Sequence, residues 1–300
     1  MSTLFIQSHH LLKEYFNISE KIILKTIEAI DDKSKTNNEI AQSIRAGIYQ
    51  LEAILNVTRF AYGKKVLKRI NIQLLELKES SDLLNEYDRF NELLISFKNI
   101  TKDQTTIDAI IILNSRLDSD FNASKSETDY KLLFKECSKS LIKYKKLLKD
   151  NKSETINFTL FKKELKRIYC EGQEYLNLSK QEPTIENVRE WSRSVKNFHF
   201  LISTLTPIWE ILFDIYSNEI KTLSVSLEMI INLKELRYYI QSLIDNPHDF
   251  SNILYLIDDQ IVAEVEKSII HGDLIYSLAP DTFALHLKSF YSIFKHYSGK

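Results

Sequence analysis

Apolar residues recur every three to four positions along most of the chain, the spacing of amphipathic helices. Residues 5–30 carry Leu11, Leu12, Tyr15, Phe16, Ile22, Ile23, Ile27 and Ile30 in this register. Ser19 takes the one polar position of that stripe, and Ile18 sits one place off it. The polar run 31-DDKSKTNNE-39 reads as a loop, and Thr36 followed by Glu39 predicts a capping box opening the next helix. That helix carries Ile40, Ile44, Ile48, Leu51 and Leu55 on its inner stripe and extends beyond Arg59, with Gly63 marking a bend or a stop. Helical patterns continue over about 66–100 and 107–122, interrupted at 101-TKDQTT-106, and 123-ASKSET-128 reads as a linker.

The second half follows the same plan. Helical patterns cover about 128–150 and 156–178, followed by the loop 179-SKQEPT-184. Thr184 is placed to cap the next helix, and Glu186 in its first turn suits the positive end of the helix dipole. In that helix Trp191, Val195, Phe198, Ile202 and Leu205 form an apolar stripe, while Arg189, Ser192, Arg193, Lys196, His199 and Ser203 form a polar one. Pro207 precedes a long helix from about Ile208 to Ile244; after 245-DNPHD-249 come two more, about 250–271 and 280–297. A shift of about 147 residues lays Ile44, Ile48, Leu51 and Leu55 on Trp191, Val195, Phe198 and Ile202, and the loop at 31–39 on that at 178–186. A repeat this long is not a short-period solenoid. The expected fold is all-α: two pseudo-symmetric antiparallel helical bundles from an internal duplication. They form a single domain over 1–300, with pseudo-repeats 1–126 and 127–300.

Composition agrees with the helical reading. Five glycines and four prolines in 300 residues are too few for many short strands joined by tight turns. Net charge is −1, so any polyanion affinity must be local. Cys137 and Cys170 form no disulfide framework and have no metal-type spacing. The opening MSTLFIQSHHLLKEYFN lacks the basic and apolar regions of a signal peptide, and the longest apolar stretch, near Phe198–Tyr216, is broken by Pro207 and Glu210. A cytoplasmic protein without membrane association is expected.

Catalytic signatures are absent. There is no glycine-rich phosphate loop, no H-E-x-x-H and no Glu-x-x-His pair of the kind that binds metals in helical bundles. His9 and His10 read as an exposed pair, and His248, His271, His286 and His296 stand alone. No enzyme, cofactor or metal site is expected. The basic clusters 64-KKVLKR-69, 143-KYKKLLK-149 and 162-KKELKR-167 read as solvated helix backs. Nucleic acid is not an expected partner, because that would need the clusters to converge on one face of a more basic domain.

The segment 188-VREWSRSVKNFHFLISTLTPIWEILFDIYSNEIKTLSVSLEMI-230 resembles the second signature of the CHAD (conserved histidine α-helical domain) family. The segments 40-IAQSIRAGIYQLEAIL-55, 77-LKESSDLL-84 and 271-HGDLIYSLAPDTFALHLKSFY-291 are similar to its other patterns, in the same order. The resemblance implies a non-enzymatic all-α module that binds inorganic polyphosphate or another phosphate-rich anion along a basic face between two bundles. Carried over position by position, it names Arg45, Arg189, Arg193, Lys196 and His199 as the anion-binding set. The chain departs from the family at the signature histidines, which are Gln42 and Arg189 here. It departs also at Tyr49, Glu52 and Asn56 on the first face, at Ser192, and at Glu228, Ile231 and Asn232, while Asp82 is kept. Two readings follow: a polyanion-binding module using the remaining basic stripe, or a degenerate member that has lost anion binding and serves as a scaffold or protein-interaction module.

Overall fold

The computed structural model describes residues 11–82, 86–127, 130–150, 158–243 and 250–298. They form eleven α-helices and no strand: α1 (Leu11–Asp31), α2 (Asn37–Thr58), α3 (Lys64–Asp82), α4 (Glu86–Ile100), α5 (Gln104–Glu127), α6 (Tyr130–Asp150), α7 (Phe158–Gln181), α8 (Ile185–Thr204), α9 (Glu210–Ser242), α10 (Ser251–Ile275) and α11 (Pro280–Ser298).

The helix starts follow the sequence signals. Thr36 and Glu39 form the reciprocal capping box of α2, and the Thr184 hydroxyl accepts from the Asn187 N–H at the start of α8. Pro183 disfavours the helical conformation at Glu182, which ends α7. Gly63 separates the short 3-10 turn at Arg59–Ala61 from α3. The expected linker at 123–128 is a correction: α5 continues through Ser126 to Glu127. That stretch holds no glycine or proline, so nothing in it breaks a helix already under way. The loop expected at 179–184 is likewise shorter, because α7 carries on with Ser179 buried. His9, His10 and the 245–249 loop lie outside the described residues.

Adding 147 to the bounds of α1 gives 158–178, against Phe158–Gln181 for α7. The same shift takes α2 to 184–205, against Ile185–Thr204 for α8, and α5 to 251–274, against Ser251–Ile275 for α10. The 3-10 turn Arg59–Ala61 falls on the 3-10 turn Thr206–Ile208. Shifted α3, at 211–229, falls within the single long helix α9, and shifted α4, starting at 233, begins in its last third. The helix α6, which follows the expected boundary at 126/127, packs on α1 and α3 and shifts onto α11, which packs on α7.

The core does not divide at mid-chain. A large apolar cluster draws on α1, α2, α3, α6, α7, α8, α11 and the first two-thirds of α9. A smaller one joins α4 and α5 to the end of α9 and to α10 through Phe90, Leu94, Ile110, Leu113, Leu236, Ile253 and Ile257. The central element is α8, packed by α2, α7 and α9. Its stripe of Trp191, Val195, Phe198, Ile202 and Leu205 is fully inside, as the periodicity predicts. Some polar side chains in this core find partners there: the Ser19 hydroxyl donates to the Tyr15 carbonyl at 2.8 Å, and the Tyr15 and Thr204 hydroxyls, from α1 and α8, pair at 2.9 Å. Carbonyls at and beyond the end of α10, which have no partner within the helix, accept from other helices. Tyr216 donates to Ile275 O at 2.8 Å, Gln173 to Tyr276 O at 2.9 Å and Tyr169 to Leu278 O at 3.0 Å.

Gly272 of α10 lies against α7 and α8 so closely that a Cβ there would sit 2.7 Å from Trp191 Cζ2 and 2.9 Å from Leu176 Cδ1. Gly63 meets nothing within 4 Å. Overpacking costs ~1–3 kcal/mol, more than the ~1 kcal/mol that alanine gains in helix propensity. Gly272→Ala therefore lowers the urea midpoint at unchanged m-value, and Gly63→Ala leaves it equal or slightly raised.

Candidate functional site

The polar stripe of α8 is a seam between α2, α9 and α4. Arg189 and Lys196 are seven residues apart, two turns or roughly 10 Å along the helix. Their partners on α9, Glu235 and Glu228, are also seven apart and run in the opposite direction. Arg189 donates to Glu235 Oε1 at 2.7 Å, and Arg89 of α4 reaches Glu235 Oε2 at 3.0 Å while donating to Asn232 Oδ1 at 2.9 Å. Lys196 bonds to Glu228 and stands 4.6 Å above the ring of Tyr49 on α2. Between them, Arg193 clamps Glu52 of α2 through Nε, at 2.9 Å, and Nη2, with Glu190 3.7 Å from Nη1.

In two of the pairs the acid is held more deeply than the cation: Glu52 and Glu235 expose 14% and 15% of their side chains, against 44% for Arg193 and 48% for Arg189. In the third the order reverses, with Lys196 at 19% and Glu228 at 50%. Arg45 is half-buried on α2, one turn before Tyr49. Ser192 is buried. His199 lies one turn beyond Lys196, where burial and then the nearby charge of Lys221 push its pKa below 6.5, so it is neutral at pH 7 and adds no cation. The sequence-derived set therefore splits. Arg189, Arg193 and Lys196 share one seam with Glu52, Glu190, Glu228 and Glu235, Arg45 stands near it, and His199 has its pKa lowered. The side chain of Asp82 lies outside the described residues.

Sequence reasoning identified Glu52 and Glu228 as departures from the family but missed Arg89 and Glu235. The signal was present in the matched seven-residue spacing of Arg189 and Lys196 with Glu228 and Glu235. A cleft of 510 Å³ opens beside this seam, lined by Phe90, Ile185, Arg189, Glu235, Tyr238 and Tyr239. Among the described residues no three His, Cys, Asp or Glu side chains are grouped to hold a metal, and no helix is long and apolar enough to cross a membrane. Cys137 is buried, which pushes its thiol up to about 11, the reverse of a reactive thiolate. No family model, curated protein or solved structure matches the chain.

Two outcomes test the seam. Arg193→Ala strands a nearly buried Glu52 carboxylate and lowers stability by ~1–3 kcal/mol in urea unfolding. Adding Glu52→Ala recovers part of that loss. For His199 the folded pKa lies below the unfolded one, so the unfolded chain binds the proton more readily. Its contribution is complete above about 6.5 and is lost as pH falls below that value. Thermal stability therefore declines between neutral pH and pH 5, and the decline flattens in His199→Gln.

Proposed function

We propose that the chain is a duplicated, CHAD-like helical module without catalytic activity that acts by docking to other proteins rather than by gripping a phosphate polymer. The duplication is supported by the 147-residue offset that carries the bounds of α1, α2 and α5 onto those of α7, α8 and α10. The docking role rests on one observation above all: Arg189, Arg193 and Lys196 are already paired with Glu235, Glu52 and Glu228. A polyanion gains ~1 kcal/mol or less from each exposed cation, and here each contact brings a carboxylate with it. The seam acts instead as a clamp that holds α2, α4, α8 and α9 in register. The polyphosphate reading has in its favour the sequence resemblance and the retained Arg45, Arg189, Arg193 and Lys196.

Titration with long-chain polyphosphate separates the two. Under the docking reading, Arg189→Ala and Lys196→Ala leave any polyphosphate binding unchanged at both low and moderate salt. Tight, salt-sensitive binding that both substitutions abolish would establish the polyanion module and overturn the docking one.

A further inference from the structure

Two of the three basic clusters that read as separate helix backs lie side by side, because α3 packs on α6. Residues 64–77 and 130–150 together carry eleven Lys and Arg against three Asp and Glu, in a chain whose net charge is −1. Among the described residues, Lys64, Lys68, Arg69, Lys143 and Lys146 are exposed and form no ion pair, whereas Lys145 pairs with Glu20 and the α8 cations pair with glutamates. Five exposed cations without an ion-pair partner thus sit together on this face, on helices other than α8.

The face also carries two shallow clefts with apolar residues at their base. One cleft of 400 Å³ is lined by Arg69, Ile72, Gln73, Lys143, Lys146 and Leu147, with Asp150 at one end. A second, of 380 Å³, continues it along α3 past Lys64, Leu67, Lys68, Asn71, Ile72 and Leu75. The two meet at Ile72. Leu67 and Leu147 rest on the core, but Ile72 and Leu75 remain 45% and 56% exposed. The fold does not require this charge. The segment 147 residues after 64–77 lies in α9 and carries Asp214, Glu219 and Lys221 in place of four cations.

We propose that the α3–α6 groove receives an acidic amphipathic helix from a partner protein. The proposal builds on the docking reading and names its surface. The cleft residues recur at 64, 67, 68, 71, 72 and 75 on one helix and at 143, 146, 147 and 150 on the other. A third helix laid along this pair offers apolar side chains at the matching period, and its acidic flanks meet the lysine rim. A bare phosphate polymer would satisfy the rim and leave Ile72 and Leu75 in water. A flat bilayer would bridge the clefts without filling them.

The test uses the full chain and a fluorescently labelled, helix-stapled synthetic peptide with leucine at i, i+4, i+7 and i+11 and glutamate between. A shuffled peptide of the same composition, long-chain polyphosphate and anionic phospholipid vesicles are run beside it. The peptide is expected to bind with an affinity that falls with salt and drops roughly tenfold or more in Ile72→Asp and in the Lys143→Glu/Lys146→Glu double variant. All three positions are exposed, so the variants keep the fold, which their helical circular dichroism and thermal melts verify; if Ile72→Asp unfolds, the lysine variant decides. Equal binding of the shuffled peptide, polyphosphate or vesicles at these same residues overturns the proposal, as does peptide binding that ignores the substitutions or no peptide binding at all. Self-association in sedimentation that the same substitutions abolish also overturns it, by assigning the groove to a second copy. The Arg189 and Lys196 variants are not expected to affect the peptide, so the docking reading and this surface fail separately.

Discussion

The burial of α8 on three sides sets the terms for the rest of the molecule. A helix packed by α2, α7 and α9 keeps only a narrow exposed strip, at Glu186, Arg189, Glu190 and Arg193. Its cationic side chains therefore emerge at the edges of seams between helices, where partial burial makes an unpaired charge costly. Glu52, Glu228 and Glu235 meet that demand from α2 and α9, and Arg89 adds a further cation on Glu235 from α4. The ion pairs thus sit where packing creates a need for them. They fix the register of α8 against α9 through two matched seven-residue spacings.

Much of the fold was legible because its causes are local. Helical periodicity, the Thr36–Glu39 box, the Thr184 cap and the stops at Gly63 and Pro183 each act within a few residues, and each element begins or ends near them. The errors have the same origin. Residues 123–127 read as a linker because serine and lysine are common in loops, yet a helix ends only where something breaks it. The site was only half legible, since a stripe of cations on one helix is visible in its own sequence while its partners are not. Glu52 lies 141 residues from Arg193, and Arg89 lies 143 from Asn232. Whether such a stripe faces water, a ligand or a carboxylate depends on tertiary packing, which periodicity does not encode.

His199 shows how far context can alter a residue type. On its helix it extends a basic stripe, yet burial, and after it the charge of Lys221, lowers its pKa from the ordinary imidazole value. A histidine in a basic stripe is a cation only while water or an acid can reach it. Here neither does so enough to offset desolvation.

The same reasoning separates the two basic surfaces. Along α8, Glu52, Glu228 and Glu235 pair with the cations of the stripe. Along α3 and α6 acids are few: residues 64–77 and 130–150 hold Glu76, Glu136 and Asp150 against eleven Lys and Arg, although Asp and Glu match Lys and Arg in number over the whole chain. Leaving five neighbouring cations unpaired around exposed Ile72 and Leu75 brings no gain in folding stability, since like charges repel and the isoleucine and leucine stay wet. A positive rim over an apolar floor is the chemistry that an acidic amphipathic helix would complement, which is the ground on which the docking proposal stands.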